Sequence, residues 1–384
     1  MTRFSSEHEV ALPVGRRGRQ ADPRRRFGPA VGLCALLVLS LLAAGCTLSN
    51  GDEDARATAG DGALAHRPEA KRFVGPDGRD DWPGTRERPW RTLHRALEAV
   101  YRGQVLYIRG GVYREDLSRL QLHRGGKYRP ILVRNFPGER PVLKGSIALR
   151  RPMYWQIRGL NVTANPHATS VPPALVKVIG GVGWSWTKSE IWGSRGSANV
   201  LVVGDGVQEP ESWTLTQNCL HDVKPAAGVT RSSNLALADM AAAGPGLVSR
   251  NLIFGERAEF QVALGSAKGG GPTDVKVLNN TMYGGDVSVS IAGDASFMRV
   301  ERNIMTGTTS EVLVRWNARR GRSNEVLQNI GSGALVFMRP AAEARIGGAG
   351  NVLDPTLSFI GEQDCDGFRT TNSAALPYGR YGIG

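Results

Sequence analysis

The spacing of apolar residues changes character shortly after residue 100. In RPWRTLHRALEAVYRGQ the apolar residues recur at helical intervals, with Thr92 placed to cap the N-terminus and Gly103 placed to end the helix. From QVLYIRGGVYRED onward, apolar residues alternate with polar ones or form short runs closed by Gly, Asp, Asn or Pro, which indicates strands. The pattern predicts one short amphipathic helix over 92–101, followed by a chain made almost entirely of short strands.

A unit consisting of a polar residue, an apolar pair and a turn recurs from residue 159 onward. Successive units lie 23 to 33 residues apart and are centred on Gly159, Ser189, Asn218, Asn251, Asn280, Asn303 and Asn329. A period of roughly 20–30 residues with several short strands in each is typical of a solenoid. We therefore predict an all-β solenoid, a single parallel β-helix of about seven or more coils. The helix at 92–101 is expected to cap the open N-terminal end of its core.

Asparagine occupies the same place in five consecutive units, from Asn218 to Asn329. In a stack of coils, an amide can both donate to the equivalent amide on the next coil and satisfy nearby backbone groups. We therefore predict an internal amide ladder and assign these asparagines no catalytic role.

The chain divides into three parts by composition. Residues 1–45 combine an arginine-rich start with the apolar run AVGLCALLVLSLLAA, which is the pattern of a signal peptide. Residues 46–70 are polar, small and aperiodic, so they are expected to form a flexible tether. The β-helix domain is predicted over 71–384, with an N-terminal opening and cap at 71–110 and a C-terminal tail at 350–384.

The sequence LLAAGC, which ends at Cys46, resembles the lipobox of bacterial lipoproteins, although Ala43 replaces the usual leucine. The resemblance implies lipidation of Cys46 and an exported, membrane-anchored protein that faces the periplasm or lies at the cell surface. Ordinary cleavage and an uncleaved anchor are the alternatives. The apolar run is short for a membrane-spanning helix, which needs about 20 residues.

The formal charge is +13, from 48 basic and 35 acidic residues. Residues 1–45 hold seven arginines and three acidic residues, so the rest of the chain keeps 41 basic and 32 acidic residues, a net +9. This surplus is scattered and no nucleic-acid-binding motif accompanies it, so we expect no nucleic-acid partner. Anionic glycans and lipid headgroups fit the charge better. The oligomeric state is left open.

Two further features admit more than one interpretation. Cys219 and Cys365 remain after the signal and lipobox cysteines are set aside, and apolar neighbours favour a buried thiol at Cys219 over a disulfide between the two. The stretch GPDGRDDWPGT at 75–85 holds Asp77, Asp80 and Asp81, which could mean a calcium loop or a tight turn. It lacks the remaining ligand pattern of an EF-hand, so a turn is favoured and calcium is kept as a possible cofactor.

The segment VGPDGRDDWPGTRERPWRTLHRALEAV, followed by GQVLYIRGGVYRE, resembles the opening of right-handed parallel β-helix proteins of the pectin-lyase-like superfamily. It is similar to the start of pectate-lyase and chondroitinase-B-type polysaccharide lyases. The ending NVLDPTLSF…DGFRTTNSAALPYG also resembles the close of many such proteins. The resemblance covers residues 72 to about 380, and it implies a right-handed parallel β-helix. It does not imply one activity, because a single fold hosts many functions.

The lyases of this superfamily remove the proton next to a uronate carboxylate and expel a sugar oxygen. That chemistry needs a base and a cation or basic side chains that neutralise the carboxylate. The candidates are Lys268, which opens the glycine-rich loop KGGG, together with Arg231 and Glu259 on neighbouring coils. The paired aspartates of the calcium-dependent lyases are missing, and no His/Cys set has the spacing of a zinc site. Secondary candidates are His221, Asp222 and Lys224, with Trp184, Trp186 and the Arg315–Trp316 pair as possible sugar platforms.

Two functions are compatible with the resemblance and with these candidate residues. One is an enzyme that acts on acidic polysaccharide or cell-wall glycan by β-elimination or related uronate chemistry. The other is a non-catalytic envelope protein that binds glycan or a partner along the solenoid surface. The scattered positive charge fits both.

Overall fold

Short strands separated by turns stack into three parallel sheets in a computed structural model of the protein, which describes residues 70–240, 244–266, 270–317, 321–337 and 350–382. The chain visits sheets A, B and C in turn, so each circuit forms one coil of a right-handed parallel β-helix, as the sequence predicts. The signal segment, the tether and Cys46 lie outside the described residues.

The strands are short, and each pairs with its equivalents on the preceding and following coils. Sheet A contains Ala70–Val74, Gln104–Ile108, Ile131–Asn135, Trp155–Arg158, Ser185–Thr187, Glu211–Thr216, Gly244–Ser249, Val275–Leu278, Arg299–Glu301 and Glu325–Leu327. Sheet B contains Gly111–Tyr113, Pro141–Lys144, Asn161–Thr163, Glu190–Trp192, Cys219–His221, Leu252–Phe254, Thr281–Tyr283, Ile304–Thr306, Ile330–Gly331 and Val352–Leu353. Sheet C contains Asp116–Leu117, Ser146–Arg150, Ala174–Ile179, Ala198–Val203, Ser233–Ala238, Phe260–Leu264, Val287–Ala292, Val312–Asn317 and Ala334–Phe337.

The core is a set of apolar rows that run along the cylinder. One row on sheet C is aligned residue by residue and fully buried: Val176, Val200, Leu235, Val262, Val289 and Val314. Because side chains alternate across a strand, the next residue of each strand points outward. The fold therefore fixes which residues of sheet C can meet a ligand.

The predicted amide ladder is present at the corner between sheets A and B. The Nδ2 of each asparagine donates to the Oδ1 of the next one, as from Asn218 to Asn251 at 3.1 Å and from Asn251 to Asn280 at 2.9 Å. The ladder continues through Asn303 and Asn329 and extends one coil further than predicted, to Asn351. A second row, which was not predicted, joins Asn199, Asn234 and Gln261 at the corner between sheets B and C.

The capping helix α1 spans Leu93–Ala99, within the predicted range, and Thr92 is its N-cap. Leu93 and Leu97 are fully buried in the main core. Glu115 accepts hydrogen bonds from the backbone N–H groups of Leu93 and His94, at 2.8 and 2.9 Å. No helix among the described residues is long and apolar enough to span a membrane.

The stretch 75–85 forms the turn that leads into α1. Asp80 accepts hydrogen bonds from the backbone N–H groups of Arg91 and Thr92 and from the Thr92 hydroxyl. Asp81 pairs with Arg79 at 3.1 Å. These contacts support the turn interpretation, because Asp80 binds the start of the helix with both carboxylate oxygens.

The C-terminal tail, 350–382, folds back over sheet B. Cys365 forms a disulfide with Cys219, so the favoured interpretation of Cys219 as a buried free thiol is wrong. Phe368 packs against Phe254, with ring centroids 4.8 Å apart, and the N–H of Arg380 donates to the Thr281 hydroxyl at 3.0 Å. The tail brings together residues that are far apart in the sequence, which neighbour spacing cannot reveal.

Candidate functional site

Two of the three predicted catalytic residues lie together where the strands of sheet C begin. Glu259 directly precedes the strand Phe260–Leu264, and Arg231 lies two positions before the paired strand Ser233–Ala238. Asp286 occupies the position of Glu259 on the next coil, because Phe260 pairs with Val287. Arg315 completes what we call the edge cluster: Arg231, Glu259, Asp286 and Arg315.

Glu259 is the chemically distinctive member of the edge cluster. It is partly buried, and its Oε2 is shielded from water without a hydrogen-bond partner in the described part of the chain. Burial raises the pKa of Glu259, Arg231 and Arg315 oppose that rise, and the Asp286 carboxylate adds to it. A partly buried carboxyl group with a raised pKa is suited to accept or donate a proton.

The two arginines place positive charge around this carboxyl group. Arg231 is exposed. Arg315 is partly buried, pairs with Asp286 at 3.5 Å, and lies over the Phe260 ring with 5.9 Å between the guanidinium carbon and the ring centroid. The arrangement places two cations beside the weakly solvated Glu259, and Asp286 shares one of them, Arg315.

The outer face of sheet C lies next to the edge cluster, because Arg315 belongs to both. Its outward positions align in one row that runs Lys177, Leu201, Ala236, Ala263, Ser290 and Arg315. The small side chains in the middle of this row leave room for an extended ligand along the cylinder axis. Successive coils are about 4.8 Å apart.

Lys268, the third predicted catalytic residue, lies outside the described residues, so its role stays a prediction. Glu259 comes directly before the strand Phe260–Leu264 and Gly265 directly after it. The residues that sequence reasoning missed are Asp286 as a member of the cluster and the pairing of Arg315 with it. Only the register between coils identifies their common position.

His221 belongs to a separate network on sheet B. Its Nε2 lies 3.2 Å from Glu190, and its Nδ1 lies 3.1 Å from Asp222. The ring stacks between Trp192 and Phe254, with centroids 6.0 and 4.7 Å away. The hydrogen bond from His221 lowers the pKa of Glu190 against the effect of burial, and Arg140 lowers it further.

This sheet B network is fully partnered, which favours a structural role for His221 and Asp222. Lys224 lines a separate cavity of about 280 Å³ beside Asp222 and Glu256. None of the three lies in the edge cluster.

The predicted tryptophan platforms are not on the surface. Trp184, Trp186 and Trp316 are 3%, 0% and 2% exposed. Trp184 stacks on Trp213 inside the cylinder, with centroids 5.2 Å apart. Because all three rings are buried, they cannot serve as surface platforms for sugar rings.

One group among the described residues has metal-ligand geometry: Cys219, His221 and Cys365, whose ligand atoms lie within 4.8 Å of one another. The two sulfur atoms are joined in the disulfide, so the thiolates that a metal would need are not formed. The edge cluster is therefore the better candidate for chemistry.

Comparisons with known proteins cover little of the chain by sequence. No family model matches. Uncharacterized protein YwoF of Bacillus subtilis is 40% identical over 73 residues, which are 19% of this chain and 15% of that protein. Pectate lyase PEL9 of Emericella nidulans is 32% identical over 74 residues, which are 19% of this chain and 18% of that protein. The chain thus matches less than a fifth of the length of these curated relatives.

Solved structures align over more of the chain at low identity. The complex of XylC with xylose aligns with 77% of this chain and 88% of its own, at 11% identity and a TM-score of 0.49. A rhamnogalacturonan lyase aligns with 74% and 87%, at 12% identity and a TM-score of 0.40. At these values the likeness bears on neither ligand nor reaction. The chain is a right-handed parallel β-helix by its own three parallel sheets, and the structures similar to it include polysaccharide lyases.

Proposed function

We propose that this chain binds an acidic polysaccharide along the outer face of sheet C and cleaves it by β-elimination at the edge cluster. The observation that carries the proposal is the setting of Glu259, a partly buried carboxyl group of raised pKa flanked by Arg231 and Arg315. A uronate supplies the complementary chemistry, with an acidic proton beside a carboxylate that needs a cation.

The reaction follows from these groups. Arg231 and Arg315 neutralise the uronate carboxylate, which makes the adjacent C–H proton easier to remove. The ionised Glu259 accepts that proton, the electron pair forms a carbon–carbon double bond, and the bond to the leaving sugar oxygen breaks. The leaving oxygen takes up a proton from water, and the hydroxide that remains removes the proton from Glu259 and restores its carboxylate. The predicted Lys268 belongs to the same proposal as a further basic group.

The location of the protein is part of the proposal. The signal pattern of residues 1–45 and the lipobox cysteine Cys46 support an exported protein held at a membrane by lipid. Substituting serine for Cys46 should abolish lipid labelling and release the protein into the soluble fraction. A labelled Cys46→Ser variant would contradict lipidation at this residue.

The test of activity uses purified protein with pectate, alginate and chondroitin, each with and without calcium. The readout is the ultraviolet absorbance of the unsaturated product. Glu259→Gln should lower the turnover rate by roughly 100-fold or more, which is the usual contribution of a general base. Glu256→Gln is the matched control, because Glu256 is an exposed glutamate outside the edge cluster.

Product formation by Glu259→Gln at the rate of Glu256→Gln would exclude Glu259 as the base. Binding of a polysaccharide without unsaturated product would favour the alternative, a non-catalytic glycan-binding protein. The Asp286–Arg315 pair supports that alternative, because it already engages one of the two cations.

A further inference from the structure

A second candidate ligand site lies between the C-terminal tail and the corner of sheets A and B. It is a cavity of about 460 Å³, called the tail cavity here, and the Cys219–Cys365 disulfide forms part of its wall. The other lining residues are almost all polar: Asn161, Lys188, Ser189, Glu190, Gln217, Arg250, Asp366, Arg380 and Tyr381. The edge cluster contributes none of them.

Two cations of the tail cavity project from equivalent turn positions. Lys188, Gln217 and Arg250 each follow a strand of sheet A that pairs in register with the next, and each has a left-handed backbone. Lys188 and Arg250 are exposed, and neither has a side-chain hydrogen bond or ion pair among the described residues. They are two coils apart, which corresponds to roughly 10 Å.

The tail supplies a third cation. Arg380 lines the same cavity, donates to the Cys365 carbonyl at 2.6 Å, and lies over the Tyr381 ring at 5.4 Å. The disulfide at Cys365 fixes the chain next to this contact. The cavity therefore depends on the tail for one of its walls and for one of its three cations.

The acidic residues of the cavity do not cancel this charge. Glu190 is already paired with Arg140 and with His221. Asp366 is the one other acidic residue among the described residues that line the cavity. The tail cavity has a positive surplus that an anionic ligand would neutralise.

The rest of the lining favours a sugar acid over a simple anion. Gln217 occupies the equivalent turn position between the two cations, and its amide and the Asp366 carboxylate can bond to hydroxyl groups. The distance of two coils between Lys188 and Arg250 is close to the length of two sugar units in an extended glycan. Carboxylates on alternate sugars would therefore meet both cations.

We propose that the tail cavity binds a carboxylate-bearing oligosaccharide, with Lys188 and Arg250 each neutralising a uronate two sugars apart. The choice of an acidic glycan rests on the proposed function, but binding here needs no catalysis at Glu259. The site would hold the chain on a polyanion through residues that take no part in the proposed reaction.

The test measures binding of a hyaluronan tetrasaccharide by calorimetry, because this probe carries a carboxylate on every second sugar. The Lys188→Gln/Arg250→Gln double variant should bind about tenfold more weakly or worse, since charge-assisted hydrogen bonds are lost. Lys276→Gln, which removes an exposed lysine from sheet A, is the control and should bind like the parent protein. Equal affinity of the double variant and the control would overturn the proposal.

Two further probes separate a sugar acid from other ligands. The methyl-esterified tetrasaccharide should bind far more weakly, and its equal binding would overturn the role of the carboxylate. Inorganic sulfate should fail to displace the tetrasaccharide at equal concentration, and displacement would overturn the sugar part of the proposal. Arg380→Gln should weaken binding as well, with the fold checked by circular dichroism.

The same measurements keep the two proposals apart. Glu259→Gln should retain tetrasaccharide binding that depends on Lys188 and Arg250. If no polysaccharide is cleaved but this binding persists, the proposed β-elimination fails and the tail cavity stands. If cleavage occurs and binding ignores both cations, the inference fails and the proposed function stands.

Discussion

Cys219 on sheet B and Cys365 in the C-terminal tail are 146 residues apart in sequence and form a disulfide, with Cα atoms 5.7 Å apart. The bond closes a loop that contains five further coils of the β-helix. The bond links the C-terminal tail to the strand Cys219–His221, which lies five coils earlier in the β-helix.

Breaking this bond should destabilise the protein. We expect Cys365→Ser to lower the free energy of unfolding by about 2–4 kcal/mol, because the unfolded chain regains the freedom of a long loop. Urea unfolding and limited proteolysis of the tail measure the effect. The parent protein should lose the same stability on reduction, while Cys365→Ser should not respond to reductant. A parent protein that is indifferent to reductant would contradict the prediction.

An asparagine inside the amide ladder should contribute more to the free energy of unfolding than the asparagine at its end. Asn251 is fully buried, and its loss leaves the N–H of Asn218 and the carbonyl of Leu215 without partners. Asn251→Ala should therefore cost about 3 kcal/mol. Asn351 is only partly buried, so water can replace its amide, and Asn351→Ala should cost under about 1 kcal/mol. Equal losses in urea unfolding would argue against the ladder as a stabilising element.

The pH dependence of cleavage should report on Glu259. A general base acts in its ionised form, so the rate should rise with pH through the pKa of Glu259. Burial raises that pKa, and Arg231 and Arg315 limit the rise. Removing one cation by Arg231→Gln should raise the pKa further and shift the rising limb of kcat/KM to higher pH. A limb that stays in place would show that Arg231 does not act on this group.

Asp205 should contribute stability that acid removes. Burial raises its pKa, but hydrogen bonds from the N–H of Gln208, from Arg151 and from the N–H of Val207 outweigh burial and hold the pKa at about 2. The unfolded value is about 3.9, so the native state gains stability above that pH and loses the gain as pH falls through the folded value. We expect Asp205→Asn to cost about 1 kcal/mol at neutral pH, after allowance for solvent screening.

Thermal unfolding at neutral pH and near the acidic limit measures this effect. The difference between Asp205→Asn and the parent protein should shrink as the pH is lowered. Asp274→Asn serves as the control. A difference that is constant with pH would exclude the ion-pair contribution of Asp205.

The sequence predicted the coils because their signal is local and repeated. The same residue type, asparagine, recurs once in each unit from Asn218 to Asn329. The equivalent positions can therefore be recognised even though the loop lengths are unknown. The row of Asn199, Asn234 and Gln261 escaped notice, since the residue types differ and the intervals are 35 and 27 residues. Unequal loops hide equivalent positions until the register of the strands is known.

The same reason limits what could be foreseen of the candidate site. Arg231 and Glu259 lie on neighbouring coils, whereas nothing local in the sequence marks Asp286 as the counterpart of Glu259. The disulfide and the tail cavity depend on how the last 30 or so residues pack back on the cylinder, which periodicity does not encode.

The amide ladder has a direction, because every Nδ2 in it points towards the C-terminal end and every Oδ1 towards the N-terminal end. Its amide dipoles are therefore aligned along the axis of the cylinder. If one whole coil were deleted from the middle, a donor would again face an acceptor, and each remaining contact would keep its partner. The cylinder can thus change length in steps of one coil, so the polar row permits variation in size that a mixed arrangement of amides would forbid.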